Sequence, residues 1–223
     1  MSLPESSAFS ASWLNLEHLA QSTPECEWHP LRPFLPEGAR VLFLGSFPPQ
    51  RKRWAPGFDF YYPNYINDHW RLEGEVFYGD RLHFVDEEHR TFCLPDIVAH
   101  CQSHGIAFFD TSLAVRRLHD NASDKFLEVV VPTDIPALVR QLPRLRAIVV
   151  TGEKAAQTLV TTLGMEQLPA VGSSLPIPAL CNAEGAPLEL YRLPSSSRAY
   201  PLAYPLKAAA YRAMFERYGL IEP

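Results

Sequence analysis

The stretch VLFLGSFPPQRKRW, Val41 to Trp54, joins a short apolar run to a loop of unusual composition. Four apolar residues are followed by a glycine, a small hydroxyl residue, an aromatic residue and two prolines, and three consecutive cations come soon after. A short apolar run bounded by Gly and Pro is typical of a buried strand. We therefore interpret this stretch as a strand that opens into a functional loop.

Three more apolar runs follow along the chain, GIAFFD, RAIVVTG and LELYRLP, and each is rich in β-branched or aromatic residues. Segments with helical character lie between them: LPDIVAHCQSH, PTDIPALVRQLP and GEKAAQTLVTTLG. Apolar strands that alternate with helical segments indicate a parallel sheet covered on both faces. The predicted fold class is α/β, a three-layer α/β/α sandwich with a central four-stranded parallel sheet.

Length and composition favour one soluble domain. The chain has 223 residues, of which 47% are hydrophobic and 20% charged, and this length suffices for one well-filled core. We expect residues 1–39 to form an N-terminal helical and irregular layer, with one helix around Ala11 to Gln21, packed on an α/β domain of residues 40–223. No apolar run approaches the roughly 20 residues of a membrane-spanning helix, so we predict a cytoplasmic protein that does not bind membranes.

Charge and cysteine usage narrow the function classes. The formal charge of −5 argues against a protein that binds nucleic acid along its whole surface by electrostatic attraction. A basic loop confined to one part of the surface is still compatible with this net charge. The four cysteines form no C-x-x-C pair, which favours free structural thiols over a metal site. An iron-sulfur cluster is the weaker alternative.

Ligands of open parallel sheets bind beyond the carboxyl ends of the strands. The four runs continue as GSFPP, DTSLAVRR, TGEKA and LPSSSR, which are rich in small residues, hydroxyls or cations. Backbone N–H groups, hydroxyls and cations together suit phosphate oxygens, so we predict a ligand that carries phosphate. The alternative is that Gly and Ser simply form turns. Neither a Walker loop nor a dinucleotide fingerprint is present.

The segment FDFYYPNYINDHW, Phe58 to Trp70, holds five Phe or Tyr residues, two Asn, two Asp, a His and a Trp. It predicts a pocket wall in which an aromatic face stacks on a planar ring and an amide pairs with the edge of that ring. An apolar lid with Asn in its turns is the alternative reading.

Taken in order, LGSFPP, YYPNYINDHW, GIAFFDT, TGEKA and LPSSSRAYPLAYPLKAAAYRAMF resemble the uracil-DNA glycosylase superfamily, most closely its mismatch-specific and hypoxanthine-type branches. The resemblance spans roughly Arg40 to Phe215. It implies a four-stranded parallel sheet between helices and a base-excision repair enzyme. Such an enzyme flips a deaminated base, here uracil, hypoxanthine or xanthine, out of DNA and hydrolyses its N-glycosidic bond by water attack without metal or cofactor.

The resemblance also assigns residues to the proposed reaction. Gly45, Ser46, Phe47 and Pro48 match the first motif, whose third position is Asp or Asn in the best-known branches; Phe47 cannot orient water. In the hypoxanthine-type branch the functional Asn comes from the later element that ends in Trp70. We therefore expect Asn67 and Ser46 to be catalytic, with Asp68 and His69 held in reserve. The base-binding residues expected are Phe47, Tyr62, Tyr61 and Asn64.

The second family motif often begins with His, where this chain has Leu193. The predicted DNA and phosphate contacts are Gly45, Pro48, Arg51, Lys154, Ser195, Ser196, Ser197 and Arg198, with Lys207 extending them. A wider set of cations also falls in or just after the rim loops: Lys52, Arg53, Arg116, Arg117 and Lys125. The expected partner is DNA with a damaged or deaminated base, and the expected state is a monomer. A catalytically weak damage sensor and a nucleotide or phosphosugar enzyme remain as alternatives.

Overall fold

The computed structural model describes residues 26–118 and 127–222. The helix expected around Ala11 to Gln21, and Lys125 of the basic set, lie outside these residues. The strands are β1 (Glu27–Trp28), β2 (Val41–Gly45), β3 (Val85–Asp86), β4 (Thr91–Phe92), β5 (Ile106–Asp110), β6 (Ser112–Arg117), β7 (Leu127–Pro132), β8 (Ala147–Val150), β9 (Ser173–Cys181) and β10 (Pro187–Arg192). The helices are α1 (His69–Tyr78), α2 (Leu94–His104), α3 (Ile135–Val139), α4 (Glu153–Thr162) and α5 (Tyr204–Arg217).

The main sheet has the strand order β5-β2-β8-β10-β9. The first four strands, which are the four apolar runs of the sequence, pair in parallel, so the predicted α/β class is confirmed. The predicted count of four strands is incomplete, because β9 adds a fifth strand antiparallel to β10. Pro176 and Pro178 obscured β9 in the sequence; they are exposed on an edge strand, where a missing N–H is tolerated.

The central strands are buried on both faces, which explains why they lack an alternating pattern. Val41, Leu42, Phe43 and Leu44 of β2 are all fully buried. The ring of Phe43 contacts His69 of α1 and Phe215 of α5, so these two helices cover that face of the sheet. Full burial of one large apolar side chain contributes roughly 1.5–3 kcal/mol.

A second sheet, of order β1-β6-β7, corrects one prediction. Residues after Asp110 were expected to form a rim loop that carries Arg116 and Arg117, but they form strand β6. The run of Leu113, Ala114 and Val115 buries its side chains, which favours a strand over a solvated loop. The chain passes from the main sheet to the second sheet within a single residue, Thr111, whose N–H donates to the Gly45 carbonyl.

The predicted helices are present between the parallel strands. Helix α2 spans LPDIVAHCQSH as expected, whereas α3 is shorter than its segment. Asp134 accepts a hydrogen bond from the Ala137 N–H at 2.9 Å, and this cap starts α3. No helix within the described parts of the chain is long and apolar enough to cross a membrane.

Candidate functional site

A cleft of about 600 Å³ lies at the carboxyl ends of the parallel strands. Gly45 ends β2, Asp110 ends β5 and Thr151 follows β8, while residues 195–197 follow β10. All four strand ends therefore contribute to one cleft, as expected for an open parallel sheet.

Most of the predicted site residues line this cleft. They are Gly45, Ser46, Phe47, Pro48, Tyr61, Tyr62, Asn64, Asn67, Ser195, Ser196 and Ser197. Three of the predicted residues, Arg51, Lys154 and Arg198, do not line it.

Those three cations have other surroundings. Arg51 lies in a single 3-10 turn, forms an ion pair with Asp59 and places its guanidinium 3.9 Å from the centre of the Trp54 ring. Lys154 is in the first turn of α4. The Arg198 Nε donates to Asp68 Oδ1 at 2.9 Å, so this side chain connects the serine loop, residues 195–199, to the start of α1.

Tyr62 provides the aromatic platform of the cleft. Its ring stacks on the imidazole of His69, with centroids 3.6 Å apart and planes at 12°, and its hydroxyl pairs with Thr151 Oγ1 at 3.1 Å. Burial raises the pKa of Tyr62, so the phenol stays neutral. The backbone φ of Tyr62 is +51°, a conformation that costs a bulky residue about 1–3 kcal/mol and often occurs at functional sites.

Tyr61 forms part of the cleft wall, and its hydroxyl already has a partner within the protein. Its hydroxyl donates to the Arg32 carbonyl at 2.8 Å and its ring stacks on Phe108. Burial raises the pKa of this phenol well above its ordinary value. Tyr61 therefore holds the wall in place with its polar end already engaged.

A buried charge network lies under the platform. The Glu73 carboxylate lies 2.9 Å from His69 Nε2 and 2.8 Å from His100 Nε2, and all three side chains are buried. Desolvation raises the pKa of Glu73, but the two imidazoles outweigh it and lower that pKa to about 2. Glu73 is therefore ionised at neutral pH and lies against both imidazoles.

Asn67 is held in one orientation by the start of α1. Its Oδ1 accepts from the His69 N–H at 2.9 Å, and its own N–H donates to the Asn64 carbonyl at 2.8 Å. Among residues 26–118 and 127–222, none accepts a hydrogen bond from its Nδ2. Because Oδ1 is engaged, Asn67 presents a hydrogen-bond donor to the cleft.

Asp110 is a cleft residue that sequence reasoning missed. Its side chain is buried, its Oδ2 lies 2.9 Å from His29 Nε2, and a Cβ added at Gly45 would lie 2.4 Å from its Oδ1. A side chain at residue 45 would therefore displace the Asp110 carboxylate. Among the described residues that line the cleft, Asp110 is the single carboxylate. The available signal was an Asp at the end of the buried run GIAFFD.

Two cations of the wider basic set also line the cleft, Arg53 and Arg117. The Arg117 guanidinium is mostly buried; its Nη2 donates to the Pro48 carbonyl at 2.6 Å and its Nε to Glu27 Oε2 at 2.5 Å. Arg117 therefore fixes the first loop to β1. Arg53 is exposed and is positioned to meet a ligand.

Hydrogen bonds to two of its backbone carbonyls hold the serine loop in place. The Ser196 carbonyl accepts from the Asp68 N–H at 3.1 Å, and the buried Lys207 donates its Nζ to the Ser197 carbonyl at 2.6 Å. Lys207 was expected to reach phosphate, but it supports this loop instead. The loop is thus preorganised beside Asn67.

Comparison with known proteins gives a structural match alone. No protein-family model matches the chain, and no curated protein matches it. The solution NMR structure of a "putative uracil DNA glycosylase" from Methanosarcina acetivorans aligns with a TM-score of 0.56 and 23% sequence identity, covering 86% of this chain and 98% of that one. The two chains share a fold. The fold that the sequence resemblance implied is therefore present over most of the chain.

Proposed function

We propose that the chain is a DNA glycosylase that flips a deaminated base, uracil, hypoxanthine or xanthine, and hydrolyses its N-glycosidic bond by water attack. The observation that carries the proposal is the cleft itself, in which the Tyr62 ring, the Asn67 amide and the Asp110 carboxylate converge. These three groups provide a stacking face, a donor and an acceptor, as required to bind a flipped base.

Tyr62 is assigned to stacking. The imidazole of His69 covers one face of its ring, and the residue lines the cleft. A base that stacks on Tyr62 meets a ring that is already held by its hydroxyl, its backbone and its neighbour. Stacking on an aromatic side chain is worth roughly 1–3 kcal/mol per base.

Asn67 is assigned to the departing base. The N-glycosidic bond breaks with negative charge developing on the base, and a preorganised donor stabilises that charge. Asn67 Nδ2 is such a donor because the His69 N–H fixes the amide. Ser46 is assigned to the water, since a hydroxyl oxygen accepts a hydrogen bond from water and Ser46 lines the cleft beside Gly45.

Asp110 is assigned to the edge of the base. A flipped base enters the cleft ahead of its sugar, so a buried polar group of the cleft can meet the edge far from the glycosidic bond. A carboxylate only accepts hydrogen bonds, and uracil, hypoxanthine and xanthine carry a ring N–H where cytosine and adenine carry a lone pair. Asp110 is 6% exposed and therefore favours the deaminated bases.

The test is a panel of single- and double-stranded oligonucleotides that each carry one uracil, hypoxanthine or xanthine, with cytosine and adenine as controls. Abasic sites are detected by alkaline cleavage. We expect cleavage of at least one deaminated base and none of the two controls. An absence of cleavage across the panel would contradict the proposal.

A damage-sensing protein is the second candidate, and Phe47 favours it because this residue replaces a water-orienting side chain. The sensor would bind oligonucleotides with a modified base more tightly than unmodified ones and would release no base. Binding measured by fluorescence anisotropy on the same panel separates the two candidates. Hydrolysis of free nucleotides without action on DNA would instead indicate a nucleotide enzyme.

A further inference from the structure

His29 is a buried imidazole behind the cleft that none of the assignments above uses. Its side chain is 3% exposed and does not line the cleft, but its Nε2 lies 2.9 Å from Oδ2 of Asp110, the carboxylate assigned to the base. We propose that His29 carries the positive charge that neutralises Asp110 while the base leaves as an anion. This inference rests on the proposed function and extends it to a positioning residue that sets how the reaction responds to pH.

The contacts of the imidazole favour its charged form. Nδ1 lies 2.8 Å from the Leu31 carbonyl oxygen and 3.2 Å from the Leu31 nitrogen, so the shorter contact is to an acceptor. A carboxylate oxygen and a carbonyl oxygen thus face the two ring nitrogens, and both of them only accept hydrogen bonds. An imidazole with a proton on each nitrogen donates to both, and this form carries a positive charge.

Three aromatic rings enclose the imidazole. The ring centroids of Phe109, Phe47 and Tyr61 lie 4.7, 5.3 and 6.4 Å from that of His29. Two charges interact more strongly in such a water-poor environment than in solvent. Because Phe47 also lines the cleft, its ring contacts both the ligand space and the imidazole.

The other titratable groups around His29 are neutral or paired. Burial, and to a smaller extent the charge of Asp110, raises the pKa of Tyr61 well above its ordinary value, so this phenol is neutral. Arg117 of β6 pairs with Glu27 of β1. Asp110 is therefore the charge to which the imidazole responds.

The two carboxylate oxygens of Asp110 have different tasks. Oδ2 is engaged by His29, whereas none of the described residues donates a hydrogen bond to Oδ1. A Cβ at Gly45 would meet Oδ1, so the glycine leaves this oxygen open to the cleft. The backbone of His29 is fixed as well, since its N–H donates to the Leu113 carbonyl at 2.9 Å. The imidazole is thus preorganised behind the carboxylate.

Excision places a second negative charge beside Asp110. As the glycosidic bond breaks, its electron pair stays on the base nitrogen. Water adds its oxygen to C1′ of the sugar, and the proton that the water releases ends on the departed base. The base is an anion until it takes this proton, and like charges repel strongly in a water-poor site. A carboxylate without a cation would therefore bind the substrate better than the transition state, which slows turnover; a positive His29 removes this repulsion.

A double-mutant cycle separates charge from packing. His29→Gln keeps a donor toward Asp110 without the charge, and Asp110→Asn keeps an acceptor toward the base without the charge. We expect His29→Gln to lower the single-turnover rate on a uracil oligonucleotide at pH 6 by about tenfold or more, and to change the half-saturating DNA concentration by less than about threefold. In the Asp110→Asn background the same change should cost less than about twofold, because no carboxylate is left to neutralise.

The pH profile gives a readout that packing alone would not move. Imidazole side chains change charge between about pH 5 and 8, and the neutralising charge is lost as the pH rises. The wild-type rate should therefore fall by about fivefold or more between about pH 6 and 8.5, whereas the rate of Asp110→Asn should show no such fall. Equal costs of His29→Gln in the two backgrounds, or parallel pH profiles of wild type and Asp110→Asn, would overturn the proposal.

The chain offers a matched control in a second pair of His and carboxylate. His89 Nδ1 lies 2.8 Å from Asp86 Oδ2, but the His89 side chain is 68% exposed, and neither residue lines the cleft. His89→Gln and Asp86→Asn should therefore leave the rate and its pH profile unchanged.

NMR of the ¹⁵N-labelled imidazoles reports the protonation of His29 without turnover, with its signals assigned by their loss in His29→Gln. At pH 6 both ring nitrogens should carry a proton in the wild type, and only one should in Asp110→Asn. A neutral His29 in the wild type would overturn the proposal even where uracil is excised. A chain that excises nothing but shows the Asp110-dependent imidazolium would contradict the glycosylase proposal and support the charge pair.

Discussion

The floor of the cleft, formed by polar groups at the strand ends, and its rim, formed by the cations that follow β2, are built in opposite ways. On the floor, buried polar groups are held by partners far away in sequence, as Asp110 is by His29 and Tyr62 by Thr151. On the rim, the cations that follow β2 are exposed and make local contacts, as Arg51 does with Asp59. Under the proposed function, the floor would supply binding geometry and catalysis, and the rim would supply attraction to phosphates that salt can screen.

The largest expected effect is on the charge network under the floor. Glu73→Gln takes the buried carboxylate away from two buried histidines, and each contact to a charged group is worth roughly 1.5–3 kcal/mol. We expect a loss of that order in the free energy of unfolding at pH 7, measured by guanidinium denaturation. Glu75→Gln, on the same helix, is the control and should change stability little.

The pH dependence of stability checks the same network. The pKa of Glu73 is lowered in the folded chain to about 2 from an ordinary value near 4.5. A lowered pKa stabilises the fold fully above about pH 4.5, and this stabilisation is lost as the pH falls toward 2. The wild type should therefore lose stability across this window in a way that Glu73→Gln does not. Parallel curves for the two proteins would contradict an ionised, paired Glu73.

Asn67→Ala tests the floor as a catalytic element. Removing one preorganised donor to a developing anion costs about 10²–10³ in turnover, whereas DNA affinity should change by less than about threefold if the group acts mainly in the transition state. Single-turnover rates and anisotropy titrations on the same uracil oligonucleotide measure both. Equal losses in rate and affinity would reassign Asn67 to binding or folding.

Asp110→Ala tests the edge contact and is expected to have a smaller effect. Loss of one buried hydrogen bond to a base costs roughly 1–3 kcal/mol, or about 5- to 150-fold in excision of uracil. An oligonucleotide with 3-methyluracil lacks the ring N–H, so the wild type should lose rate on it while Asp110→Ala should not discriminate between the two bases. Asp59→Ala, at an exposed carboxylate outside the cleft, is the control. Equal wild-type rates on uracil and 3-methyluracil would contradict the assignment.

The sequence predicts the main sheet and the position of the cleft better than it predicts the contacts inside the cleft. The four apolar runs and helix α2 follow from local periodicity, and parallel strands bring their carboxyl ends together. The His29–Asp110 pair joins residues 81 positions apart, and no local pattern links them. Strand β6 and edge strand β9 were missed because their character depends on neighbours, the second sheet for one and the sheet edge for the other.

The smallest expected effect is on the rim. From the sequence alone, Arg51, Lys52 and Arg53 are equally good candidates for a phosphate contact. Arg53 lines the cleft, whereas the Arg51 guanidinium pairs with Asp59 and lies over the Trp54 ring. A cation that contacts one phosphate contributes about 0.9 to the slope of log affinity against log salt. Arg53→Gln should therefore lower that slope by nearly one unit, and Arg51→Gln should lower it much less, as measured by anisotropy between 50 and 200 mM salt. Identical slopes for the two variants would mean that the rim acts as a diffuse charge, so that proximity to the cleft does not decide which cation meets a phosphate.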